Sequence, residues 1–230
     1  MRKRAGVAMV VPVVQIEVWV DVVCPWCYLG TRRLEQALAS FDHADEVEVR
    51  FRSFQLDPTA PTDGAVTVAE HLGAAYGGGA DNGRQMAART EELAAREGLR
   101  FDHADAPWTN SRDAHRLLQL ALDEGGPARQ RALGGELFAA YFERAQDLAD
   151  AGVLRSAASA AGLDPARVTE VLSGQEYDDA VSHDVDEAAS LGARGVPFFV
   201  VDRRFGISGA QPVEVFADAL EQAWSRRQAS

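Results

Sequence analysis

The stretch VDVVCPWCYLG, residues 20–30, holds Cys24 and Cys27, the two cysteines of a 230-residue chain. Before it, in QIEVWVD, Ile16, Val18 and Val20 alternate with Glu17, Trp19 and Asp21, the period-two pattern of a strand. After it, Leu34, Ala37, Leu38 and Phe41 recur at helical spacing and predict an amphipathic helix from about Cys27 to Ser40. Val47, Val49 and Phe51 then alternate with Glu48, Arg50 and Arg52 as a second strand. The order reads as a βαβ unit with parallel strands. Its C-x-x-C lies where the first strand gives way to the helix.

That junction has chemical consequences. Unpaired amides and the positive end of the helix dipole favour an anion at a helix N-terminus, and for cysteine the anion is the thiolate. An ordinary cysteine titrates near about 8.5, and such a site lowers it. Cys24, at the helix end, is the expected attacking thiol. Cys27, one turn in and better shielded, is placed to resolve a mixed disulfide. Pro25 sets one torsion of the turn and removes an amide that would lack a partner. Trp26 reads equally as an exposed apolar rim for a docking substrate and as packing against neighbouring helices.

Other chemistries are disfavoured. Two cysteines cannot build the disulfide framework of a small secreted scaffold, and 47% hydrophobic residues supply an ordinary core. The five histidines, at positions 43, 71, 103, 115 and 183, include no pair at knuckle spacing, so no metal is expected. A net charge of −12 repels phosphate backbones and argues against nucleic acid as a partner. Away from the N-terminus, apolar runs fall short of the roughly 18 residues of a membrane span. The N-terminal MRKRAGVAMVVPVV imitates a secretory signal. Its apolar run is short and broken by Pro12, and it is read as a flexible extension over residues 1–12 of a cytoplasmic protein.

Beyond Asp57-Pro58 and the turn cluster at 61–64, the pattern from 65 to 191 is helical, with breaks at 77–83, 101–110, 125–127 and 163–165. Asn110 or Ser111 can cap a helix faced by Ala114, Leu117, Leu118 and Ala121. Strand character returns in VPFFVVD (196–202), FGIS can complete a hairpin, and Val213, Phe216, Leu220 and Trp224 form a last apolar stripe. The acidic runs at 42–48 and 178–187 read as solvated surface. The expected organisation is an α/β domain over 13–64 and 192–230, interrupted by a helical subdomain over 65–191.

The strand-CPWC-helix opening, the helical insert, and GVPFFVVD followed by ISGAQP resemble the DsbA-like thioredoxin-fold oxidoreductases, in particular their FrnE-like branch. The likeness runs over about residues 15–225. It implies a thioredoxin fold interrupted by a large all-helical insertion, and protein disulfide oxidoreductase or isomerase activity. Cys24 would be the nucleophile and Cys27 the resolving thiol. It also implies a cis Pro197 lying against the pair, with Val196 offering its backbone to the substrate. Trp26 stands where the strongly oxidising relatives carry histidine, which implies a milder oxidant. The stretch NSRDAHRLL resembles a family segment in which Asn110 and His115 could line the cleft between insert and thioredoxin fold; a capping asparagine and a structural histidine are the plainer readings. Gln55 and Gly209-Ala210-Gln211 would turn around the same cleft.

Implied partners are a protein or small-molecule disulfide or thiol, with no organic cofactor and glutathione as an optional co-substrate. The chain would be a monomer or a homodimer. Two alternatives stand beside this reading. One is a glutathione-dependent isomerase or transferase of the 2-hydroxychromene-2-carboxylate isomerase or kappa type, which typically carries serine at the position of Cys24. The other is a non-catalytic binding protein switched by the redox state of the pair.

Overall fold

The structure, a computed structural model, describes residues 14–228; the expected N-terminal extension lies outside the described residues. Strand β1 (Val14–Val20) leads through Cys24 into helix α1 (Pro25–Ala39), and β2 (Val47–Ser53) follows. The helix starts at Pro25, two residues before the sequence pattern places it. Pro at the first helical position already has helical φ and gives up only an amide that would be unpaired.

Six helices follow before the chain returns to the sheet: α2 (Val68–Tyr76), α3 (Gly79–Arg96), α4 (Arg112–Phe138), α5 (Ala151–Ala160), α6 (Pro165–Ser173) and α7 (Asp178–Ser190). Strands β3 (Phe198–Val201) and β4 (Phe205–Ser208) form the hairpin, and α8 (Val213–Gln228) begins one residue after Pro212. The sheet order is β2-β1-β3-β4. β1 and β2 run parallel, with Val18 opposite Phe51, while β3 is antiparallel to both β1 and β4.

Strand β1 is buried on both faces, so its alternation does not separate core from solvent. Val14, Ile16, Val18 and Val20 join the main core with residues of α1 and α8. Trp19 faces the other way, packs with Ala188 of α7 and Val200, and donates from Nε1 to the Asp184 carbonyl at 2.8 Å. Helix α7 thus lies within the 65–191 stretch yet packs directly on the sheet. Its charges are not all solvated, since Asp184 is buried. Asp184 pairs with Arg52 at 2.9 Å and accepts from the Ser53 amide and Gln119. Arg52 and Arg203 also pair with Glu17. Burial works to raise the Glu17 carboxyl, but the hydrogen bonds and charges of the two arginines outweigh it and hold it below the usual range.

The outer edge of β2 is closed by a side chain. Gln130 of α4 accepts from the Phe51 amide at 2.9 Å and donates to the Phe51 carbonyl at 3.0 Å, as a neighbouring strand would. The run of α4 is interrupted where Gly126 adopts non-helical torsions (φ 69°, ψ −173°) just before Pro127, so the expected break at 125–127 is present as a kink where two helical segments meet.

The glycine-rich stretch 77–83 also departs from expectation. Only Gly77 and Gly78 make the turn, and α3 begins at Gly79. The remaining glycine, Gly83, lets two helices touch: a Cβ there would come within 1.9 Å of the Ala69 carbonyl oxygen. Thr67 and Glu70 start α2 with a reciprocal capping box.

Candidate functional site

Cys24 occupies the N-cap of α1 with extended torsions (φ −95°, ψ 115°), and its carbonyl accepts from the Cys27 amide at 3.0 Å. Both cysteines are free thiols. The Cys24 thiol donates to the Val196 carbonyl at 3.7 Å, within the longer reach of sulfur. Cys27 accepts at Sγ from the Asp21 amide at 3.4 Å. Burial pushes the Cys27 thiol up, and the Cys24 sulfur beside it pushes further, against the opposing pull of the Asp21 amide. Cys27 is therefore held as the neutral thiol near neutral pH.

Cys24 is less open than its position at the helix end suggests: it is 3% exposed, and Cys27 is fully buried. The route to Cys24 is a cleft of about 630 Å³ with Cys24, Pro25 and Trp26 on one side and residues of α2 and α3 on the other. Trp26 is 44% exposed and lines this cleft together with residues of α2 and α3.

The Val196–Pro197 bond is cis, and Val196 is itself part of the cleft wall. Gly30 brings the loop close to α1: a Cβ there would meet Pro197 Cγ at 2.9 Å and the Phe199 ring at 3.2 Å. The Pro197 carbonyl accepts from the Gly209 amide at 2.8 Å. Arg33 of α1 donates to the Ala210 carbonyl at 2.7 Å. Gly209-Ala210-Gln211 thus ties the cis loop to α1.

Asn110 and His115 are not among the cleft-lining residues. Asn110 holds a loop to the start of α4: its Oδ1 accepts from the Arg112 amide and from Gln55, and its Nδ2 donates to the carbonyls of Pro58 and Ala60. His115 is fully buried, with Nε2 3.4 Å from Asp21 Oδ1 and Nδ1 without a hydrogen-bond partner. Asp21 ends the alternating segment QIEVWVD. In the fold its carboxylate is buried and accepts from the Leu56 amide at 2.7 Å and the Val23 amide at 3.3 Å, fixing the turn that carries Cys24.

The sequence reading does not anticipate the far wall of the cleft. Leu72, Tyr76, Met86 and Leu93 come from α2 and α3, with Trp108, Tyr141 and His103 completing it. The available signal was the apolar spacing of the two helices, which looks the same for a helix that packs on a core. Burial lowers the His103 imidazole to about 4, so it is neutral in the fold. Among the described residues no group of three or more His, Cys, Asp or Glu side chains could hold a metal ion. No described helix is long and apolar enough to cross a membrane.

Two thiols at one helix end, one lining a cleft and one enclosed, are of the chemical kind that can pass between dithiol and disulfide. Residues 15–221 match the model of the DSBA-like thioredoxin domain. A probable DsbA oxidoreductase from Streptomyces coelicolor is 43% identical and superposes with a TM-score of 0.83, covering 92% of this chain and 90% of that one. The cytosolic disulfide reductase DsbM of Pseudomonas aeruginosa, solved with GSH, shares the fold at 18% identity and a TM-score of 0.65, over 92% of this chain and 99% of that one. The Bacillus subtilis protein YwbO is 26% identical over 93% of this chain and 99% of its own length.

Proposed function

The chain belongs to the DSBA-like thioredoxin domain family, and from that premise we propose that it is a thiol–disulfide oxidoreductase acting through the Cys24–Cys27 dithiol. The observation that carries the reading is the asymmetry of the pair. Cys24 caps α1 and lines a cleft, while Cys27 is enclosed and kept protonated.

In the reductive direction the Cys24 thiolate attacks one sulfur of a disulfide RS–SR′. A Cys24–S–SR bond forms, and R′S⁻ leaves and takes a proton. Cys27 then gives up its proton and attacks the Cys24 sulfur, expelling RS⁻ and closing the Cys24–Cys27 disulfide. Two electrons pass from the dithiol to the substrate, and two external thiols, or one dithiol, return the pair to its starting state and leave as a disulfide. The same steps in reverse oxidise a substrate dithiol, and the potential of the pair against its surroundings sets the direction. Raising the Cys27 thiol serves the first step, because a second thiolate beside Cys24 would repel the developing charge. Val196 and Pro197, beside Cys24, would position the substrate chain or group. The glutathione-dependent isomerase reading ranks below this one, because both sulfurs are present and adjacent.

The test is intact-mass analysis of the Cys27→Ala chain after exposure to bis(2-hydroxyethyl) disulfide. The expected outcome is a single stable adduct at Cys24, whereas the unaltered chain ends as an internal disulfide without adduct. A Cys27→Ala protein that gains no adduct would rule the proposal out.

A further inference from the structure

The cleft that leads to Cys24 has a chemical character of its own. Its volume of about 630 Å³ lies within the range of small-molecule sites. Of the residues lining it, Trp26, Trp108, Tyr76 and Tyr141 present rings, and Leu72 and Met86 present flexible apolar chains. No Asp, Glu or Lys lines it; Arg89 is the single charged side chain, on an exposed position of α3. Of the six large apolar side chains left open to solvent among the described residues, three, Trp26, Leu56 and Tyr76, belong to this one cleft, and Tyr76 is 71% exposed. Such a concentration of exposed apolar surface marks a binding site.

Resting on the thiol-exchange reading above, we propose that the substrate of this site is a low-molecular-weight disulfide whose transferred group is uncharged, apolar and ring-sized. A tripeptide thiol such as glutathione carries two carboxylates and an ammonium. Entering this cleft would strip those charges of water and offer them one guanidinium in return, with no side-chain carboxylate for the ammonium. An aromatic group loses nothing by the same transfer and gains faces and edges to pack against. The enclosure of Cys24 points the same way, since a sulfur that is 3% exposed is met by a group entering the cleft.

The experiment uses the full chain with Cys27→Ala, which leaves Cys24 as the sole thiol. It is treated with three methanethiosulfonates that share one leaving group: benzyl, 2-sulfonatoethyl and 2-(trimethylammonio)ethyl. In each case the Cys24 thiolate displaces methanesulfinate and the Cys24–S–S–R bond forms, so the rates differ only through R. Dividing each rate by that of 2-mercaptoethanol removes intrinsic reactivity.

The expected result is that the benzyl reagent leads both charged reagents by about tenfold or more, the scale set by burying a ring-sized apolar group. The overall charge of the chain cannot produce this, because it would favour the cationic reagent over the anionic one and leave benzyl between them. Met86→Asp should reduce the benzyl lead and speed the trimethylammonio reagent; Tyr76→Ala, at an exposed position, should reduce the lead without endangering the fold. Equal normalised rates for all three reagents, or a benzyl lead untouched by both variants, would overturn the assignment. No reaction with any reagent would instead defeat the thiol-exchange reading itself. A final arm separates small molecules from proteins: the unaltered dithiol should reduce the mixed disulfide of benzyl mercaptan and 2-mercaptoethanol faster than it reduces insulin. The opposite order would overturn the low-molecular-weight assignment.

Discussion

Beneath α7, strand β1 meets a layer of paired charge, Glu17 with Arg52 and Arg203, and Arg52 with Asp184. Just past the end of the same strand, Cys24 faces a cleft walled by apolar and aromatic side chains. The two regions are separated by a few residues of chain and treat charge in opposite ways. In the first, every carboxylate has a guanidinium within reach and the layer holds α7 to the sheet. In the second, Arg89 is the single charged side chain among the lining residues, and Cys24 stands mostly among rings and aliphatic chains. Ionic contacts serve structure where they can be fully paired, and the Cys24 sulfur stands where a competing charge would have to be desolvated.

The sharpest way to break this contrast is Arg52→Ala. It leaves Glu17 and Asp184 with part of their partners gone in a poorly solvated layer, and should cost about 3–5 kcal/mol in urea unfolding. Alkylation of Cys24 in the folded variant should be unchanged, because Arg52 is not part of the cleft.

A second prediction concerns acid. Burial lowers the His103 imidazole to about 4, against about 6.5 in the unfolded chain. Above that unfolded value neither state binds the proton. Between the two, the unfolded chain takes up a proton that the fold refuses, so stability falls as pH falls, by up to about 1.4 kcal/mol per pH unit. The loss levels off near the folded value, and His103→Gln should flatten this limb in a series of urea titrations from neutral to acid pH. An unchanged slope would mean that His103 is not held neutral by the cleft wall.

The smallest expected effect is that of Trp26→Ala. At an exposed position the change in stability should stay within about 0.5 kcal/mol. Its effect should appear instead as a smaller benzyl preference at Cys24, which would separate the wall of the cleft from the scaffold.

Much of this architecture was written into local pattern. The alternation of β1 and β2, the helix after CPWC, the VPFFVVD strand and its hairpin all rest on neighbours in sequence, and each appears within two residues of where the pattern places it. The resemblance in GVPFFVVD also led to the cis bond at Val196–Pro197. What covers a strand is a different matter. Glu17, Trp19 and Asp21 alternate with the apolar positions of the strand, yet all three are buried, because α7 and α4 arrive from more than 90 residues away. The cleft was illegible for the same reason. Leu72, Tyr76 and Met86 have ordinary helical spacing, and only the close crossing of α2 and α3 that Gly83 permits turns their apolar faces into a wall. Asn110 and His115 drew notice through their resemblance to a family segment, but they brace the Asp21 turn and the 55–60 loop from outside the cleft.

The contact of Gln130 with Phe51 bears on how this molecule meets copies of itself. A sheet edge with unpaired amides and carbonyls invites strand-to-strand growth between molecules. On the β2 side that invitation is withdrawn at the middle of the strand, where a single carboxamide occupies both the donor and the acceptor of Phe51, and Arg131 adds a hydrogen bond to the Val49 carbonyl. Among the described residues the remaining edge is β4, four residues long. Strand-to-strand growth through the described sheet would therefore have to begin at Phe205–Ser208, a length too short to template much, while a helix of the insert closes the opposite side at Phe51.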